Sequence, residues 1–121
     1  LEQIDPGINL HDLPAYISRQ HQVKIAVARA LILEPKVLAL DNPFLYFDRE
    51  ERKLFQQFLN EQVTNGLAII MVTQDIRYAL GHSDKILYAE NELMSCFDSL
   101  SQLRQCKLDA IQAYLQQYPD P

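Results

Sequence analysis

An α/β fold, a partial parallel sheet with flanking helices, is predicted by three observations in this 121-residue sequence. Two short, continuous apolar runs, Val37 to Leu40 and Leu67 to Val72, have the length and lack of alternation of strands buried in a parallel sheet. Between them, Leu54, Phe55, Phe58, Leu59 and Val63 recur at helical spacing and mark an amphipathic helix. Strand, helix, strand at this spacing reads as a right-handed crossover unit with parallel strands.

Residues 1–16 are polar and punctuated by Pro6-Gly7, Asn9 and Pro14, which reads as loop with at most a short helix. A helix then starts with Ser18 as N-cap. Its residues Val23, Ile25, Ala26, Val27, Ala28, Ala30, Leu31 and Ile32 are interrupted only by Lys24 and Arg29, so it is expected to be mostly buried. Pro35 ends it. The first strand closes on Asp41, and an aromatic turn, Pro43-Phe44-Leu45-Tyr46-Phe47, follows. Asp48 opens the second helix, with Glu51 completing a capping-box-like pair, and Gly66 stops it. After the second strand, Asp75 to Leu80 reads as a short helix. Lys85 to Ala89 and Glu92 to Phe97 read as two strands around a turn at Asn91. Ser99 with Gln102 repeats the capping signature ahead of Leu100 and Leu103, and a last helix over 107–118 carries Leu108, Ile111, Tyr114 and Leu115.

Composition excludes several function classes. Hydrophobic residues make up 48% and charged residues 22%, which is globular rather than disordered. A formal net charge of −5, with no dense cluster of Lys and Arg, lacks the footprint of a nucleic-acid binder. No apolar run approaches the roughly 20 residues of a membrane span, and no secretory leader is read. Cys96 and Cys106 fit no metal pattern and are expected to be two reduced thiols. Because the sequence starts at Leu1 rather than Met, it is expected to be a piece of something longer.

Three segments resemble, in order and at matching spacing, the C-terminal half of an ATP-binding-cassette (ABC) ATPase domain. Ile17-Ser18-Arg19-Gln20-His21, and the helix through Ala28-Arg29-Ala30-Leu31, resemble the family signature (Leu-Ser-Gly-Gly-Gln) and its helix. Glu34-Pro35-Lys36-Val37-Leu38-Ala39-Leu40-Asp41-Asn42-Pro43 is similar to the Walker B strand, with Asp48 at the D-loop aspartate. Ile70-Met71-Val72-Thr73-Gln74-Asp75 looks like the H-loop strand. The resemblance covers about residues 14–95. It implies one domain, with a signature part (1–35), a sheet core (36–97) and C-terminal helices (98–121).

What the resemblance implies for chemistry is ATPase ancestry with altered site residues. The family signature offers a helix N-terminus and close-packed glycines to the γ-phosphate held by a second domain. Here Arg19 and Gln20 replace both glycines, and their side chains are expected to crowd the phosphate, unless Arg19 offers charge instead. Equally, Ser18 does no more than cap a core helix. Asp41 matches the aspartate that helps hold Mg²⁺, given an intact partner half. An acidic residue ending a strand also needs no function. Asn42 occupies the position of the glutamate that polarises water, and an amide cannot serve as general base. Gln74 stands at the γ-phosphate-contacting histidine and can hydrogen-bond without carrying charge.

No Gly-x-x-x-x-Gly-Lys-Ser/Thr loop occurs, and three glycines, at 7, 66 and 81, could not form one. In the family that loop lies upstream, so either a further half exists or the cradle was lost. The expectation is therefore a degenerate transporter subunit or fragment, structural or regulatory, that hydrolyses little ATP alone. ATP and Mg²⁺ enter only with a full-length protein. The alternatives are an active ATPase whose phosphate loop lies in a missing half, and a nucleotide-independent interaction domain. Implied partners are a second ATP-binding subunit or a permease, in a homo- or heterodimer at the cytoplasmic face of a membrane, without insertion into it. Docking on a permease is expected around Tyr46 to Glu51. Pro43-Phe44 and the stretch from Ser99 to Leu115 look most like the ATPase subunit of Mce-type lipid transporters.

The remaining features read more simply. His11, His21 and His82 are too scattered for a metal site, and Ser18 with His21 lacks the acid of a nucleophilic triad. Phe44, Tyr46 and Phe47 are either a partner patch or a lid on the core. The run Asp48 to Lys53 reads as a solvated helix start. The last helix packs on its own sheet or on another subunit.

Overall fold

The computed structural model describes residues 17–90, 93–98, 100–106 and 109–117. Contacts group the chain into two units, Leu1–Thr73 and Gln74–Pro121. The expectations for 1–16, the Asn91 turn, Ser99 as a cap and Leu108 lie outside the described residues.

In the first unit, helix α1 (Arg19–Leu31) leads into strand β1 (Val37–Asp41), helix α2 (Arg49–Thr64) and strand β2 (Ala68–Val72). Ser18 caps α1 by accepting from the His21 N–H at 3.4 Å. Glu34, just before Pro35, takes the left-handed φ of 48° and turns the chain out of the helix. Asp48 caps α2 by accepting from the Glu51 N–H at 2.8 Å, and Gly66 at φ 98° lets the chain reverse into β2. The strands pair in parallel, Val37 with Ala68 through Asp41 with Val72, as the crossover reading requires.

The core of this unit lies on one side of the sheet. Leu38 and Leu40 pack with Val27 of α1 and Phe55 and Leu59 of α2, with Ile69 and Met71 of β2 against them. Phe44 and Phe47 complete it: Phe47 stacks on Phe55 at 5.1 Å between centroids, and Phe44 meets Phe55 edge-on at 6.0 Å. The aromatic turn therefore divides, its two phenylalanines lidding the core while Leu45 and Tyr46 stay exposed.

Three packing expectations need correction. Neither strand is buried on both faces: Val37, Ala39, Ala68, Ile70 and Val72 are exposed, because α1 and α2 both pack on the opposite face. Helix α1 is not mostly buried. Only Lys24, Val27 and Ala28 are fully so, since a single stripe meets the sheet. In α2, Leu54 and Val63 fall outside the stripe and are exposed.

The second unit contains helix α3 (Ile76–His82), an antiparallel hairpin of β3 (Ile86–Glu90) and β4 (Leu93–Phe97), and helices α4 (Leu100–Gln105) and α5 (Asp109–Gln117). Asp75 caps α3 by accepting from the Tyr78 N–H at 3.0 Å. Phe97, Leu103 and Ile111 form its core, so the last helix packs on its own hairpin. Gln112 ties α5 to the end of α4, donating to the Cys106 carbonyl at 2.6 Å. Both cysteines are free thiols. No described helix is long and apolar enough to cross a membrane.

The two faces of the sheet should respond differently to substitution. Leu59→Ala, which empties a fully buried site, should cost about 2–5 kcal/mol in urea unfolding. Val72→Thr on the exposed face should stay within about 0.5 kcal/mol.

Candidate functional site

The residues singled out by sequence reside at two helix starts and one strand end. Ser18, Arg19 and Gln20 form the start of α1, Asp48 caps α2, and Asp41 with Asn42 ends β1. Glu51 brings the two helix starts together. Its Oε1 accepts from the Gln20 Nε2 amide at 2.7 Å and lies 3.5 Å from Lys24 Nζ. Its backbone N–H meanwhile serves the Asp48 cap, so one residue in the first turn of α2 holds both ends.

This arrangement corrects the reading of one residue, Glu51, and gives Gln20 a partner. Glu51 was expected to complete a capping box, yet its carboxylate is turned to α1, where a buried ammonium is the stronger partner. Gln20 was expected to crowd a phosphate from the start of α1. Its amide is bound to Glu51, while Arg19 remains exposed with Nη1 3.5 Å from Gln22 Oε1. Lys24 is the one buried charged residue of the described core, and its ammonium also lies 5.6 Å from the Phe47 ring centroid. Its signal in the sequence was a charge set among apolar residues, shared with Arg29, which is exposed, so only the packing of α1 shows which of the two meets a buried partner.

At the end of β1 the backbone turns sharply. Asn42 has φ 43°, in the left-handed region that asparagine tolerates better than most residues. Its N–H donates to the Val72 carbonyl at 2.9 Å, and its side-chain amide donates to Asp41 Oδ1 at 3.0 Å. The exposed Asp41 carboxylate thus has an amide donor, rather than a second carboxylate, as its neighbour. Gln74 follows β2 by two residues and is exposed, just ahead of the Asp75 cap.

The fit to Mg²⁺ follows from this donor set. Among the described residues no three His, Cys, Asp or Glu converge. Mg²⁺ usually takes one or two carboxylates and fills its octahedron with water and substrate phosphates, so Asp41 fits as a single protein contact of that kind.

No protein-family model matches the chain. Among curated proteins it is 36% identical over 92 residues to the nitrate transport protein NasD of Klebsiella oxytoca, covering 75% of this chain and 35% of that protein. It is 42% identical over 94 residues to the Fe(3+) ions import ATP-binding protein FbpC of Rhizobium etli, covering 71% and 27% respectively. Among solved structures, an ATP-binding subunit of an ABC transporter superposes with a TM-score of 0.70 at 24% identity, over 89% of this chain and 48% of that one. A dimeric ATP-binding cassette in a post-hydrolysis state, bound to ADP and phosphate, gives a TM-score of 0.60 at 26% identity, over 68% and 37%. The chain thus spans about a third of the length of the curated relatives it matches.

Two substitutions test the geometry of this region. Glu51→Ala removes an ion-pair partner of buried Lys24 and the acceptor of the Gln20 amide, and should cost about 1.5–3 kcal/mol in chemical unfolding. Lys24→Met should recover part of that loss in the double variant, because it removes a buried charge that has lost its carboxylate. Asn42→Ala should lose about 1–2 kcal/mol from the left-handed backbone, and Asn42→Gly should lose less.

Proposed function

Because the homologues of this chain are ATP-binding subunits of ABC transporters, we propose that it is a catalytically degenerate subunit of this kind, or a portion of one. Its role is structural or regulatory in membrane transport, and it turns over little ATP. The observation that carries the reading is Asn42, next to Asp41 where the water-polarising glutamate belongs. Loss of a positioned general base typically costs about 10²–10⁴ in rate. Asn42 donates to Asp41 Oδ1, an office that an acid could not fill while ionised.

The finer assignments follow the same reasoning. Asp41 would hold Mg²⁺ through its one carboxylate when nucleotide phosphates supply the rest of the shell, and the ion would neutralise phosphate charge. Asp48 is the D-loop aspartate, engaged in capping α2. Ser18 and Arg19 remain at the exposed start of α1 to meet nucleotide held by a second ATP-binding subunit. Gln20, bound to Glu51, supports that helix start from behind. Gln74 is a neutral group in the histidine position. The region around Tyr46 to Glu51, with Tyr46 exposed, provides the contact with a permease at the cytoplasmic face of the membrane. Lipid transport of the Mce type is the substrate class favoured by Pro43-Phe44 and the C-terminal stretch.

The test is phosphate release by the full-length protein, with and without Asn42→Glu. Turnover of the unmodified protein at background is expected, and robust turnover would overturn the proposal. Thermal unfolding with Mg-ATP separates it from a scaffold that ignores nucleotide. A site filled at about 100 times its dissociation constant stabilises by about 2.7 kcal/mol, whereas the scaffold gains nothing.

A further inference from the structure

Asparagines stand at positions 9, 42, 60, 65 and 91, and of these Asn65 alone precedes a glycine. An asparagine is most reactive in that setting. The backbone nitrogen of the following residue attacks the side-chain Cγ, and glycine presents that nitrogen with no Cβ in the way. Asn65 is the C-cap of α2 and Gly66 begins the turn into β2, and both are exposed. A Cβ added at Gly66 would meet nothing within 4 Å, so packing does not enclose the pair. Beside it opens a cleft of about 320 Å³, lined also by Glu34, Lys36 and Gln62, which gives water access to Asn65.

The folded geometry keeps the two reacting atoms apart. At ψ 5° for Asn65, the Gly66 nitrogen eclipses the Asn65 nitrogen and is turned away from the side chain. The Gly66 N–H also donates to the Val63 carbonyl at 2.9 Å, which holds the proton that attack must remove. Both constraints belong to the last turn of α2 and lapse when that turn opens. Helix ends open at a far lower free energy than the core does.

We propose that Asn65-Gly66 is a site of covalent modification gated by the last turn of α2. On opening, the Gly66 nitrogen loses its proton to a solvent base and bonds to Asn65 Cγ, and the side-chain nitrogen departs as ammonia. The cyclic imide then takes up one water. Attack at Cγ breaks the Cγ–N bond and leaves aspartate in the normal backbone. Attack at the backbone carbonyl breaks that C–N bond instead and routes the chain through Cγ, as isoaspartate. Either product places a carboxylate at the negative end of the α2 dipole, where the last turn holds no basic residue. Isoaspartate also inserts an extra backbone carbon just ahead of Leu67 and Ala68. Their N–H groups, donating to the Gln62 and Lys36 carbonyls at 3.0 Å, set the start of β2.

The experiment incubates the full-length protein at neutral pH, folded and in urea. Conversion is mapped by peptide mass and by methylation with an isoaspartyl methyltransferase and S-adenosylmethionine. In urea Asn65 should convert ahead of Asn9, Asn42, Asn60 and Asn91, and folding should slow it at least about tenfold. Gly66→Ala should slow the reaction in urea at least about tenfold, a comparison that needs no folded variant. Val63→Gly, at an exposed position, should speed conversion of the folded protein about threefold by weakening the last turn. It should leave the rate in urea unchanged. Equal rates in the folded and unfolded protein overturn the proposal, as does a folded rate indifferent to Val63→Gly. Conversion led by another asparagine in urea overturns it too. No nucleotide enters the experiment, so its outcome stands apart from the phosphate-release assay.

Discussion

Burial of a single face of the β1–β2 sheet is the constraint on which the first unit depends. Leu38 and Leu40 have their apolar surface removed from water only if α1 and α2 lie across them, and Phe55 and Leu59 are spaced to do this from one stripe of α2. The aromatic turn follows from the same need. The short segment from Asp41 to Asp48 must place Phe44 and Phe47 over Phe55, and this fixes where Asp41 ends and where Asp48 begins the next helix. Hydrophobic packing therefore positions the polar residues of the proposed site, although none of them contributes to the packing.

Glu51 adds the second layer of order. Apolar contact alone leaves two helices free to slide along a sheet, because dispersion and solvent exclusion are weakly directional. A carboxylate that accepts from Gln20 and pairs with buried Lys24 has a defined direction, and it registers the start of α1 against the start of α2. Gln20 thereby has a structural role of its own. The amide anchors the helix start from behind, where a glycine would have offered no side chain.

Legibility in the sequence tracks how local each cause is. The caps Ser18 and Asp48 and the helix stop near Gly66 depend on a few neighbouring residues, and each was readable from them, whereas Asp75, read as the first residue of a helix, is its cap. The parallel pairing of β1 and β2 was readable because a helix between two apolar runs permits little else. The partner of Glu51 was not. A capping box and a cross-helix ion pair use the same glutamate, and only the packing of α1 on α2 decides between them. The open sheet face was also hidden, since continuous apolarity reports a strand suited to burial on both sides and says nothing of what covers it. Sequence matched Asp41, Asn42 and Gln74 to family positions, but the left-handed backbone at Asn42 required coordinates.

That backbone bears on why an asparagine stands there. A glutamate at this position would occupy a left-handed conformation at a higher cost than asparagine does, and would set a second negative charge beside Asp41. Asparagine relieves both: it tolerates φ 43° and converts a repulsion into a hydrogen bond with Asp41. Where hydrolysis is required, such strain and repulsion persist because the site needs them, and stability is lost in exchange for rate. Where it is not, nothing opposes the residue that suits the turn. On the proposed function, Asn42 is thus a local optimum for folding at a position relieved of chemistry, held at the end of a strand whose packing does not depend on it.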